Sequence, residues 1–310
     1  MRIFENANFD FIQTRQIAYL FSGALILASV ISFAVRGIDY GIDFSGGMAF
    51  VIETSSELEA TEVRSELTQV FGTAPEVKDF GQNVPQLLVR LGVEGETNKD
   101  RINEAQSTLT NAVEAAFPGV TVDVIRTDVV GPRFAEDLRQ GALYAIFGAL
   151  LVIFLYILIR FEWRFSMGAV AAVAHDVTIT LGLFSLLYGI LPFSLQIDQT
   201  IIAAFLTIVG YSLNDTVVVF DRVREYTALF KTDDYVDLVN RSINNTLSRT
   251  VVTSGTTLLV LTVLFIFGSD VLRGFAFALI VGVAIGTYSS VYVASPVVVE
   301  LHLRAKQGAR

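Results

Sequence analysis

The chain has 310 residues, of which 53% are hydrophobic and 17% charged, with no cysteine, two histidines and a formal net charge of −9. A mean hydropathy of +0.57 lies beyond that of a soluble domain and identifies a membrane protein. The same figures exclude a disulfide scaffold, thiol chemistry and a disordered or collagen-like chain. With only His175 and His302, no His-rich metal site is expected, and the acidic balance argues against nucleic acid as a partner.

Six apolar stretches reach the roughly 20 helical residues that cross a hydrocarbon core of about 30 Å. They lie at 17–36, 141–160, 166–188, 199–221, 250–268 and 273–300. The first follows Arg2 and Arg15 and lacks a small-residue cleavage site near its end, so it reads as a retained anchor. GIDFSGG at 41–47 reads as a turn into the first strand, because no phosphate-loop Lys follows it. Strands are then predicted at 47–53, 75–80, 85–91 and 120–127, with helices at 58–71 and 99–116 and a turn at Gly81, Gln82 and Asn83. The order β-α-β-β-α-β implies a ferredoxin-like α+β sandwich.

Short basic loops set orientation. Arg2 and Arg15, Arg160 and Arg164, the loop from Arg222 to Arg249 and the tail with Arg304, Lys306 and Arg310 hold 12 of the 22 basic residues. The opposite short loops hold only Arg273. Both termini are therefore expected in the cytoplasm. The chain divides into a cytoplasmic N-terminus and first span (1–36), an exported domain (37–138), a five-helix remainder of the bundle (139–303) and a cytoplasmic tail (304–310).

Polar groups at membrane depth cost about 2.5–3.5 kcal/mol each on insertion scales, so they mark candidate sites. Asp176 lies near the middle of the third span, and its neighbour His175 is turned by about 100° toward another face. On the fourth span Thr207, Tyr211, Ser212 and Asp215 form one stripe, with Asn214 beside it. On the fifth, Arg249, Thr253, Thr256 and Thr257 repeat the pattern from the same side, and an Asp215–Arg249 contact is expected. A carboxylate away from water is costly as an ion, so an Arg that approaches and withdraws would release and restore its proton. The alternative for each is a static packing bond. Gly274, Ala278, Gly282 and Gly286 on the sixth span, and Gly168 with Ala172 on the third, are expected to pack helices closely, within the chain or against a partner. Asp233 and Asp234, followed by Val236, Val239, Ile243 and Leu247 on one face, read as a separate short interfacial helix. No GxSxG or HExxH motif points to an enzyme.

GIDFSGG (41–47), VGP (130–132), RFEWR (160–164), AHDVTITLG (174–182), GYSLNDTVVVFDRVRE (210–225), SRTVVTSGTT (248–257) and IGTYSSVYVASP (285–296) together resemble the SecF family of the bacterial SecD–SecF accessory complex. That family belongs to the resistance-nodulation-division superfamily, in which two six-span halves form one unit. The resemblance implies one such half in the inner membrane. SecD would be its partner, SecYEG and YajC its neighbours and a preprotein its cargo. Protons would drive it, without cofactor. It also assigns proton coupling to Asp215 and Arg249, and places Asp176 in a shared motif. Two other readings stay open: half of a proton-driven exporter of small molecules or lipids, and a non-transporting scaffold of the translocon.

Overall fold

The structure, a computed structural model, describes residues 8–73, 75–80, 84–92, 98–191, 193–268 and 270–308. The expected turn at Gly81, Gln82 and Asn83, and the terminal Arg2 and Arg310, lie outside them. In chain order the elements begin with α1 (Arg15–Arg36), α2 (Ile42–Ser45), β1 (Gly47–Thr54), α3 (Ala60–Phe71), β2 (Glu76–Asp79), β3 (Gln86–Leu91), α4 (Lys99–Ala116) and β4 (Val122–Val130). There follow α5 (Pro132–Arg160), α6 (Trp163–Leu187), α7 (Gln199–Leu229), α8 (Tyr235–Phe267) and α9 (Asp270–Ser289), a π-helical turn (Ser290–Ala294) and α10 (Ser295–Gly308). Two compact units divide them: 1–38 with 145–188 and 200–310, and 39–144 with 189–199.

The smaller unit is built on an antiparallel sheet of order β2-β3-β1-β4, the order of a ferredoxin-like sandwich. Met48, Phe50 and Ile52 of β1 point to one face with Leu87, Val89 and Leu91 of β3. They meet Val63 and Leu67 of α3 and Leu109 and Val113 of α4. Each such burial contributes about 1.5–3 kcal/mol. On the opposite face Ala49, Val51 and Leu88 are covered by Ile42 and Phe80, which is why β1 is buried almost continuously. The GG pair has a steric cause. Gly46 has φ 71° and ends the α2 turn, while Gly47 has φ 134° and a Cβ there would lie 2.6 Å from the Leu91 carbonyl oxygen.

A return segment that periodicity left unassigned, 189–199, completes this unit. Ile197 N–H donates to Asp39 O at 2.8 Å and Gly41 N–H to Ile197 O at 2.9 Å. Leu195 and Ile197 are buried. The Gln196 amide donates to Glu76, which also pairs with Lys78, and Gln199 N–H donates to Asp43 at 3.1 Å.

The larger unit is helical. All six expected spans are present as helices long and apolar enough to cross a membrane. Half of the apolar window of α6 is buried, but only 6% of that of α5, so α6 is interior and α5 peripheral. Ala18, Ser22, Ser29 and Ser32 form a buried small-residue stripe on α1. Ser32 bonds Ser185 at 2.7 Å, and a Cβ on Gly182 would collide with Ser29. Arg36 then donates to Leu186 O and Tyr188 O at 2.6 Å each, satisfying carbonyls left open at the end of α6. At one end of the bundle Phe161, Phe165 and Phe220 pack edge to face, with Ile12, Ile157 and Ile243 around them.

Three boundaries differ from expectation. α5 begins at Pro132, nine residues before the apolar run, because Pro at a first helical position presets its dihedral. The separate interfacial helix does not occur: α8 runs unbroken for 33 residues from its Asp234 cap, with no Gly or Pro before Gly255 to stop it. Its Val239 and Ile243 pack into the bundle core instead of onto a lipid surface. The sixth span is interrupted by the π-helical turn at 290–294.

Candidate functional site

Two polar clusters lie inside the helical unit. The first centres on Asp176, which is 1% exposed. Its Oδ2 accepts from Ser212 Oγ of α7 at 2.6 Å and from Ser289 Oγ of α9 at 2.7 Å. Its Oδ1 lies 2.8 Å from His175 Nδ1. His175 Nε2 lies 2.9 Å from Ser22 Oγ of α1, and Ser22 lies 3.0 Å from the Tyr288 hydroxyl of α9. Tyr288 donates to Ala18 O at 3.0 Å and stacks on the imidazole. The expected separation of His175 from Asp176 is therefore corrected. Adjacent helical residues diverge at Cβ, but the imidazole is long enough to fold back onto the carboxylate.

The second cluster centres on Asp215, 3% exposed, whose carboxylate accepts from Ser254 Oγ of α8 at 3.4 Å. Ser254 also lies 2.7 Å from Thr287 Oγ1 of α9. The Tyr211 hydroxyl reaches Ser254 at 3.3 Å and Thr257 at 3.5 Å. Gly286 permits the approach of the two clusters' helices: a Cβ there would lie 3.1 Å from Ser212 Cβ and 3.5 Å from Asp176 Oδ2. Gly282 lies against Ile208 with no room for a Cβ, and Ala278 is fully buried, as is Gly274 within α9.

The expected polar stripes divide between these clusters. Ser212 faces Asp176, not Asp215, whereas Tyr211 and Asp215 face α8. Asn214 is exposed. Thr253 and Thr256 bond back to carbonyls of their own helix, and Thr257 meets the cluster only through Tyr211. Arg249 is exposed and makes no ion pair with Asp215 among the described residues, although it is near enough for its charge to act there. The expected Asp215–Arg249 contact is thus absent, since Ser254, a turn and a half further along α8, occupies the carboxylate. Sequence reasoning missed Ser22, Ser254, Thr287, Tyr288 and Ser289. Hydroxyls are inexpensive in helices and stand out only once helix registers are known. Among the described residues no group of three or more acidic or histidine side chains is placed to hold a metal ion.

Residues 109–304 match the family described as protein export membrane protein SecD/SecF, C-terminal, and residues 31–57 match the SecD/SecF GG motif. The protein translocase subunit SecF of Rhodothermus marinus is 63% identical over 98% of this chain and 97% of its own length. The chain belongs to the SecF family. SecF of Haemophilus influenzae is 38% identical over 95% of this chain and 86% of its own, and SecF of Escherichia coli O157:H7 is 38% identical over 96% and 88%. A crystal structure of SecDF, a translocon-associated membrane protein from Thermus thermophilus, superposes with a TM-score of 0.82 at 37% identity over 97% of this chain. This chain spans 40% of the length of that SecDF chain. SecF members are protein-transport components that cross the membrane several times, and the GG motif of the family falls on the Gly46–Gly47 turn described above.

Proposed function

We propose that this chain couples the proton motive force to late steps of preprotein export, as the partner of SecD beside the SecYEG translocon and YajC. It does so in the inner membrane, without covalent chemistry or cofactor. Both termini face the cytoplasm and the ferredoxin-like unit lies outside. One observation carries the reading: Asp215 is a carboxylate in a membrane helix with one long hydroxyl bond among the described residues, near an Arg that is not committed to it. A buried carboxylate that stays ionised needs several donors or a counter-charge. Asp215 has one donor and no paired counter-charge among the described residues, so the ion is poised to exchange its charge for a proton when Arg249 moves. Asp176 is the second candidate carboxylate of the same pathway. The exporter and scaffold readings gain nothing from this geometry, and a single exported domain of about 100 residues is small for a drug exporter of this superfamily.

The test is proton flux and preprotein export in membrane vesicles at matched complex abundance, wild type against Asp215→Asn. The substitution keeps shape and removes titration. Loss of both activities by at least tenfold, with SecD still co-purifying, is the expected outcome. Retention of both would make Asp215 a packing group and favour the scaffold.

A further inference from the structure

The His175–Asp176 pair has a property that the coupling role of Asp215 does not use. It follows from counting hydrogens. Tyr288 has one hydroxyl proton and gives it to Ala18 O, so toward Ser22 it accepts. Ser22 also has one proton, and two neighbours that take it: His175 Nε2 or Tyr288 Oη. With the Ser22 O–H donating to an unprotonated Nε2, the imidazole is neutral and its Nδ1–H donates to Asp176 Oδ1, leaving the pair with one negative charge. With the Ser22 proton turned to Tyr288, Nε2 carries a hydrogen of its own and donates it to Ser22. Nδ1–H still donates to Asp176, and the pair is neutral overall. Every donor finds an acceptor in both arrangements, and the Ser22–Tyr288 bond is made only in the second. They differ by one proton and one rotation about the Cβ–Oγ bond of Ser22. Buried polar clusters that serve packing alone are satisfied at one protonation level, since a further proton sets two donors against each other.

We propose that His175 and Asp176 form a proton-binding site, with the Ser22 hydroxyl of α1 as the switch that keeps it satisfied both empty and loaded. Ser212 and Ser289 both donate to Oδ2, which holds Asp176 as the carboxylate at either level and places the loading proton on the imidazole. Loading reverses the bond between α1 and α6 and adds one from α1 to α9, so the proton is read by three helices. Few other charges compete. Tyr288 faces the pair from α9, with Tyr292 of the π-helical turn stacked on it at 5.2 Å. Asp215 of α7 is held by Ser254, and Arg249 of α8 is exposed. Between Arg15 and Arg36, α1 has no charged residue, and its Tyr19 lies beside Arg15 and Glu300.

This inference deepens the reading of the chain as a proton-driven subunit, yet proton occupancy is measurable without transport. With only two histidines in the chain, His302→Gln leaves His175 alone. The full chain, labelled with 15N-histidine and assembled with unlabelled SecD in lipid bilayers, is followed by solid-state NMR from about pH 9 to about pH 5. The unsubstituted chain checks that the His302 change leaves the His175 signals in place. The expected result is an Nδ1–H neutral imidazole that becomes doubly protonated as pH falls. Ser22→Ala is expected to lower proton affinity about tenfold, because the loaded form loses the stronger, charge-assisted bond. An imidazole with one proton at every pH, or a titration that Ser22→Ala leaves unmoved, overturns the site even if transport proves proton-driven. A His175 that loads in a complex indifferent to a proton gradient supports the site and overturns the functional reading.

Discussion

Asp39 holds a charge at a cost. Its side chain is 16% exposed, burial pushes its carboxyl above the ordinary aspartate range, and Glu76 pushes it further while Lys78 pulls it back. A raised folded value means that the contribution of Asp39 to stability is present below the unfolded value and is lost as pH rises through the folded one. Near neutral pH the ionised group therefore destabilises its unit. Asp39→Asn is expected to raise the melting temperature at pH 7, an advantage that shrinks as pH falls and vanishes below about pH 3, where the carboxyl is protonated folded or unfolded. An advantage that stays constant over this range would mean that charge is not its source. The carboxylates of the helical unit were legible in the sequence for a related reason: Asp176 and Asp215 interrupt apolar runs where ions are rare. Their partners were not legible. Nothing local distinguishes Ser254, which holds Asp215, from Thr253, which bonds its own helix.

Elements followed sequence pattern where one face or one span was the whole signal. The strands and helices of the sandwich, and the six spans, arise from periodicity and length alone. Misreadings came where a boundary depended on tertiary contact. The Val236–Leu247 face resembled a lipid-facing helix because an apolar stripe does not say what covers it, and here Phe11, Phe161 and Val299 belong to the same core. The π-helical turn has no sequence signature in the reading, yet it follows directly on Tyr288 and Ser289, and such turns recur at functional positions. Close packing gives a second prediction. Gly282→Val drives new atoms into Ile208 and is expected to destabilise the bundle by about 1–3 kcal/mol, seen as a lower thermal midpoint in detergent. Ile208→Ala in the same chain should recover much of the loss. Failure of that rescue would show that the Gly282 contact is not the constraint.

The molecule as a whole is assembled from a chain that enters its smaller unit twice. Residues 39–131 contain all four strands of the described residues, but Leu195 and Ile197 come from the return segment. A fragment of 39–131 is expected to fold less stably than one carrying 189–199 as an added peptide, by about 3–6 kcal/mol for two buried apolar side chains. Calorimetry of the fragment with and without the peptide checks this, and equal melting points would remove the segment from the core. The same segment has a consequence for the connectivity of the chain. It ends at Gln199, where α7 begins, and α7 reaches Ser212 after about 20 Å of continuous helix and Asp215 one turn later. The chain therefore cannot lose this stretch without also changing the lead-in to the helix that carries Ser212 and Asp215.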